Sequence, residues 1–259
     1  MKNFEKDFEF DLEKTLEELN ILSGDTLMLH SDSAVIGQYF PENKEDAFYK
    51  FFSIILNKLG STGTLLVPAF SMSYTENKPY FVKESKSVTG PLSEYFRTKM
   101  PSKRSLDPIY SFSAIGKYED NISKMSSNSC FGNDSVFSFC FEKYGKLLFM
   151  GCSLDRATFV HFVEEKLRVN YRYFKSFSGE TYLANNDKRK TKISLYVRDL
   201  EIDSTPNHTN LEKELAKGSL LNSSKMNRLS CKSVKMSDFF EISKDLLDED
   251  KFALINEKS

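Results

Sequence analysis

Apolar positions along the chain recur with two periods, one helical and one of strand type. Leu12, Leu16 and Leu19 follow helical spacing until Ser23-Gly24-Asp25 breaks the pattern. Thr26 to Leu29 is a short apolar run that predicts a buried strand, and the polar turn His30-Ser31-Asp32-Ser33 follows it. Between residues 45 and 59, Phe48, Phe51, Phe52, Ile55, Leu56 and Leu59 share one helical face, with Gly60 at the C-terminal stop. Thr64 to Val67 predicts the next strand, closed by Pro68. Thr89-Gly90-Pro91 predicts a helix start that leads into Leu92 to Lys99. Ser111 to Ile115 and Lys146 to Met150 predict two further strands, and residues 72–90 and 200–210 irregular loops. Strands alternating with helices point to the α/β class. Beyond His161 the character changes. Glu180 to Ala184 and Lys192 to Arg198 bracket Asn185-Asn186-Asp187, which predicts a β-hairpin. Leu211 to Lys217 and Ser237 to Asp248 then predict charged helices, the second with Ser237 as its cap. The expected organisation is a single domain over residues 1–259, with its core at 8–170 and a hairpin and helical elaboration over 171–259.

Composition narrows the partners. The 259 residues hold 36 Lys plus Arg against 37 Asp plus Glu, a formal net charge of −1, which argues against nucleic-acid or membrane-surface binding. Cys130, Cys140, Cys152 and Cys231 form no C-x-x-C pair and no zinc-ligand spacing, so they read as reduced thiols of a cytoplasmic protein. The start of the chain runs directly into a charged amphipathic pattern, so neither a signal peptide nor a bilayer-spanning segment is expected.

Candidate chemistry concentrates just past the strand at Lys146 to Met150. Gly151 ends that strand, a short loop carries Asp155 and Thr158, and a helical pattern then carries His161. Ligands of open α/β sheets gather at the carboxyl ends of strands, and histidine is the side chain most readily tuned to take a proton near neutral pH. Only His30, His161 and His208 are available. Glu164 and Glu165 fall three and four residues beyond His161, on its helix face, and Asp155 precedes it. Any of the three carboxylates can orient the imidazole. A histidine simply packed between Phe159 and Phe162 fits the same pattern. The turn from His30 to Gly37 offers hydroxyls and backbone amides to an anion, or is an ordinary strand-to-helix turn. Lys103-Arg104 precedes another turn, and Arg suits phosphate recognition. Lys188-Arg189-Lys190 reads as a solvated hairpin tip. Cys152 lies near His161 in sequence, as a nucleophile would, but a small apolar residue would serve as well directly after a buried strand.

Taken in order, these segments resemble the aminoglycoside 3-N-acetyltransferase family. The resemblance rests on Gly24-Asp25-Thr26-Leu27-Met28-Leu29-His30-Ser31 and Gly63-Thr64-Leu65-Leu66-Val67-Pro68-Ala69-Phe70-Ser71. It continues through Arg104-Ser105, Pro108, Ser111-Phe112, Phe131-Gly132 with Ser135, and Gly151 through Thr158 to His161 and Glu164. It implies a three-layer α/β/α sandwich around a mixed central sheet. It also implies transfer of an acetyl or short acyl group from coenzyme A to a primary amine, with no metal. By resemblance, Ser31, Ser33, Val35, Arg104, Ser111 and Phe112 fall at the coenzyme A site. His161 falls at the amine-activating position, with Glu164 orienting it and Thr158 available as an oxyanion donor.

Two departures stand out. Ser31-Asp32 replaces the Ser-Ser common in resistance enzymes, and Asp107 stands where they carry a His before the proline. The chain also lacks the acidic excess suited to polycationic antibiotics. Relatives also acylate nucleotide-linked amino sugars, and Arg172, Tyr173 and Lys175 in the segment Tyr171-Arg172-Tyr173-Phe174-Lys175 suit an acceptor that carries phosphates. The leading expectation is therefore an acyl-CoA-dependent N-acyltransferase for an amino sugar, nucleotide-linked. An aminoglycoside acetyltransferase is the second reading and a non-catalytic binding protein with this fold the third. The sequence leaves the oligomeric state open, a homodimer included.

Overall fold

The computed structural model describes residues 4–40, 44–183 and 187–256. The first part of the chain runs α1 (Phe4–Glu18), β1 (Thr26–Ser31), α2 (Ala34–Gly37), α3 (Lys44–Leu59) and β2 (Thr64–Pro68). After β3 (Tyr80–Phe81) come α4 (Pro91–Lys99), β4 (Lys103–Arg104), β5 (Phe112–Gly116), α5 (Glu119–Lys124), α6 (Val136–Glu142) and β6 (Lys146–Met150). The remainder is α7 (Val160–Leu167), β7 (Arg172–Tyr182), β8 (Lys188–Arg198), α8 (Thr209–Lys217), β9 (Leu221–Met226), β10 (Leu229–Lys235) and α9 (Met236–Glu249).

Strand alternation divides the core into two layers. Leu27 and Leu29 of β1, Leu65 and Val67 of β2, and Leu148 and Met150 of β6 pack with apolar residues of α1, α3 and α4 on one face. Met28, Leu66, Leu147 and Phe149 point the other way and meet α6, α7, α8 and α9. The result is an α/β/α sandwich. Its sheet has the order β4-β5-β2-β1-β6-β10-β9 and is mixed: β1 runs parallel to β2 and β6, and the outer pairings are antiparallel. Because β1 continues to β2 on one side and lies beside β6 on the other, a crevice opens at the carboxyl ends of these three strands.

The sheet does not stop at the boundary expected at residue 170. β10 pairs with β6 over Cys231↔Met150 to Lys235↔Lys146, and β9 forms the edge beyond it. The pair escapes a hydrophobic reading because Leu221–Met226 and Leu229–Lys235 are rich in Ser and Lys, with Met226, Cys231 and Val234 their buried apolar positions. The hairpin is also longer than its apolar pattern: β7 begins at Arg172, and most of its first half is exposed. Together with β3 it forms a second, three-stranded sheet. The expected turn at Asn185-Asn186 lies outside the described residues. Ser237 does not cap the last helix. β10 runs directly into α9, so extended Lys235 is the N-cap position and no side chain caps it.

Candidate active site

At the carboxyl ends of β1, β2 and β6 a cleft of about 580 Å³ is walled by the β1 end and its turn (residues 29–33), the start of α4, and the loop from Cys152 to His161. Gly151 redirects the chain out of β6 with φ +73°, a conformation that side-chain-bearing residues rarely adopt. A short 3₁₀ turn at Leu154–Arg156 then sets Thr158 and His161 on the wall of the cleft.

His161 is held from behind. Its Nδ1 lies 2.8 Å from Glu164 Oε2, the spacing of a single helical turn. Glu164 is 1 % exposed in its side chain and meets Arg172 Nε at 2.7 Å, an ion pair lying off the N–H direction. Arg172 Nη1 donates to the Tyr196 carbonyl at 3.2 Å, which anchors the guanidinium to β8. Phe131 flanks the imidazole at 5.2 Å between ring centroids. A carboxylate at Nδ1 fixes that nitrogen as N–H donor and leaves the Nε2 lone pair free of described partners.

Electrostatics keep the ring neutral. Burial lowers the His161 pKa below its ordinary 6.5, the Arg172 charge acts the same way, and Glu164 opposes both. For Glu164, burial alone would raise the carboxyl, but the His161 hydrogen bond and the Arg172 charge outweigh it and hold the group ionised. A neutral imidazole with one ring nitrogen locked onto a carboxylate can accept a proton at the other.

The structure separates the three carboxylates that the sequence leaves open. Asp155 accepts the His208 backbone N–H at 2.9 Å and the Ser153 hydroxyl at 3.1 Å, so it ties the loop to the start of α8 instead of orienting His161. Glu165 accepts from Ser129 Oγ at 2.7 Å and faces away. Glu164 alone reaches the imidazole.

Ser31 and Ser33 line the cleft, and among the described residues their hydroxyls have no partner. Thr158 lines it as well, and its backbone N–H approaches His30 Nε2 at 3.4 Å. His30 is buried and stacked on Phe149 at 5.1 Å. Cys152 borders the cleft, but burial pushes its thiol up to about 12, far from a thiolate.

Other expected site residues lie elsewhere. Val35 is buried in the α1/α3 layer. Arg104 is spent on the fold: it donates to Ser111 Oγ at 3.1 Å, to the carbonyls of Val82 and Ser85, and to that of Ala69. Ser111 in turn donates to the Ala69 carbonyl at 2.7 Å, and Phe112 is a fully buried core ring packed on Phe70 and Phe137. None of the four lines this cleft. Nor do the residues expected to hold acceptor phosphates: Arg172 is buried behind Glu164, and Tyr173 and Lys175 sit on the exposed part of β7. Asp107, where resistance enzymes carry histidine, accepts the backbone N–H groups of Ile109 and Tyr110 at 2.8 Å each and closes a turn. The role of Arg172 was legible only as a charge near the helix, because its partner depends on how β7 folds back. Asp32, which stands in the turn after β1, and Arg156, which no motif marks, also border the cleft. Among the described residues no group of three potential metal ligands occurs, and no helix is long and apolar enough to cross a membrane.

A half-buried histidine held by a buried carboxylate stands on the wall of a cleft at the carboxyl ends of a mixed sheet in an α/β/α sandwich. The chain belongs to the aminoglycoside 3-N-acetyltransferase family, whose model matches residues 28–248, and is an acetyltransferase by that membership. Solved structures share its fold. The apoenzyme of aminoglycoside acetyltransferase AAC(3)-IVa is 19 % identical with a TM-score of 0.77, covering 96 % of this chain and 91 % of its own. AAC-IIIb in a binary complex with CoASH is 17 % identical with a TM-score of 0.78, covering 97 % and 98 %. AAC-VIa bound to sisomicin is 17 % identical with a TM-score of 0.77, covering 93 % and 97 %. No curated protein sequence matches the chain at a significant level.

Proposed function

We propose that this protein transfers an acetyl or short acyl group from coenzyme A to a primary amine of an amino sugar, with His161 as general base. The observation that carries the proposal is the 2.8 Å His161–Glu164 contact on the cleft wall, which leaves Nε2 toward the cleft. The amine nitrogen attacks the thioester carbonyl, Nε2 takes the proton that the nitrogen loses, and collapse of the tetrahedral adduct expels the thiolate, which receives that proton. Thr158, on the same cleft wall, donates to the developing oxyanion in this reading. The free hydroxyls of Ser31 and Ser33 support donor binding in the same cleft. The AAC-IIIb structure with CoASH supports the donor class.

For the acceptor, the cleft offers two carboxylates, Asp32 and Asp155, and one cation, Arg156. A polycationic antibiotic needs a partner for each ammonium it desolvates, and this lining suits an acceptor with a single ammonium. A nucleotide-linked amino sugar meets that description, with Arg156 as the cation available to its phosphates. The family membership and the sisomicin complex of AAC-VIa favour an aminoglycoside as the second reading. Thiol release from acetyl-CoA, measured against nucleotide-amino sugars, free amino sugars and aminoglycosides, tests both. Turnover of a singly cationic amino sugar supports the first reading. Turnover of kanamycin-like compounds alone replaces it with the second.

A further inference from the structure

A second cavity, about 750 Å³ against 580 Å³ for the cleft, is bordered by Val82 and Lys83, while Val88 to Ser93 of the same stretch border the cleft. Lys83, Arg97, Lys103, Arg104, Lys124 and Arg189 line it, and no aspartate or glutamate does. In a chain of net charge −1, that is a strong local excess of one sign. The six cations are not equivalent. Arg97 is clamped by Glu94, Lys103 by Glu119 and Asp120, and Arg104 by backbone carbonyls. Lys83, Lys124 and Arg189 form no ion pair among the described residues, although Lys124 lies close enough to Asp120 to help hold that carboxyl down. They come from three separate parts of the chain: the segment after β3, the end of α5, and β8. Six cations that converge from distant segments, with only Glu94, Glu119 and Asp120 beside them, repel one another less when an anion joins them.

The hydroxyls present do not change that sign. Thr98, Ser102 and Ser123 donate to the carbonyls of Glu94, Phe96 and Asp120. Recognition therefore falls to charge: the Arg97 and Arg104 guanidiniums are fixed in place, and the three unpaired side chains are free to close on a ligand. Val82, Leu106 and Leu183 supply an apolar patch beside them. The volume is that of a small-molecule site.

We propose that this cavity binds the phosphate groups of a nucleotide-type ligand, with Lys83, Lys124 and Arg189 as the charges that engage them. The two sources of that chemistry are the nucleotide portion of the acyl donor and a separate nucleoside diphosphate. The proposal does not rest on acyl transfer, because binding is measured without turnover. Pyrophosphate titrated calorimetrically into the full-length chain at low salt should bind, and the affinity should fall as salt rises. The variant K83E/K124E/R189E should weaken it at least about tenfold, as loss of charge-assisted contacts implies. His161→Ala should leave it unchanged. The milder Arg189→Gln alone should weaken binding measurably and guards against misfolding of the triple variant. Displacement of pyrophosphate by coenzyme A, with a raised KM for acetyl-CoA in the triple variant, assigns the site to the donor's nucleotide. Displacement by UDP but not coenzyme A assigns it to a separate ligand. No pyrophosphate binding to the wild type, or equal binding to the triple variant, overturns the proposal.

Discussion

Glu164 lies between His161 and Arg172, and the carboxylate and the guanidinium act oppositely on the imidazole. Its carboxylate stabilises the imidazolium that forms when His161 takes a proton, whereas the Arg172 charge disfavours it. The two can therefore be told apart by the sign of a pH shift. The base is active when neutral, so kcat/KM should fall on the acid side with a midpoint below 6.5, the ordinary histidine value. Arg172→Gln removes a charge that lowers the pKa, so its acid limb should move to higher pH. Glu164→Gln removes a charge that raises it, so its limb should move lower while kcat drops. Shifts of the same sign in both variants would show that the pair acts only through packing. Cys152 gives a complementary test. With its thiol pushed up to about 12, Cys152→Ala should keep most activity, and intact mass after incubation with acetyl-CoA alone should show no acyl adduct. The sequence carries the His161–Glu164 pairing, because i,i+3 spacing is a local property of a helix. It does not carry Arg172 as the partner of Glu164, because that contact depends on the path of the chain after Arg168, which takes the left-handed conformation with φ +58°.

Among the elements, β4 carries a charged side chain that is committed to the fold. Lys103-Arg104 reads as a phosphate-binding pair, yet the Arg104 guanidinium bridges the end of β2 to the 82–85 segment through the carbonyls of Ala69, Val82 and Ser85. Arg104→Ala removes a donor from the buried Val82 carbonyl and the part-buried Ser85 carbonyl and leaves Ala69 only the Ser111 hydroxyl, so it should destabilise the fold by on the order of 3 kcal/mol. Chemical denaturation measures this, and a Tm equal to wild type would contradict the assignment. β1, β2, β6 and α3 were legible because their apolar runs are continuous or keep one face. β9 and β10 were not, since their strand identity comes from pairing with β6 and not from their own Ser- and Lys-rich composition. The same holds for β7, where Tyr173 and Phe174 are exposed and the pairing with β8 defines the strand.

At the scale of the whole molecule, a buried histidine links stability to pH. His30 is buried at the end of β1 against Phe149, and burial lowers its pKa to about 4. The unfolded chain, with an ordinary histidine, binds this proton at higher pH than the native one does, so stability rises with pH across this window. The contribution of His30 is complete above 6.5 and is lost as pH falls toward 4. That loss amounts to about 3 kcal/mol. His30→Asn should flatten the dependence of unfolding free energy on pH between these limits, and an unchanged slope would contradict a neutral buried imidazole. The overall architecture was legible because the βα alternation of the first half sets the parallel core, and the cleft follows from where that sheet reverses. Which side chains reach the cleft was only half legible, since Ser31, Ser33, Thr158 and His161 line it while Val35, Arg104, Ser111 and Phe112 do not. The most direct test of the account is the turnover of His161→Ala with acetyl-CoA and the amine acceptor that the wild type uses best, measured beside donor binding. The account predicts a kcat lower by ~10²–10⁴-fold with coenzyme A affinity nearly unchanged. Turnover close to that of the wild type would contradict it.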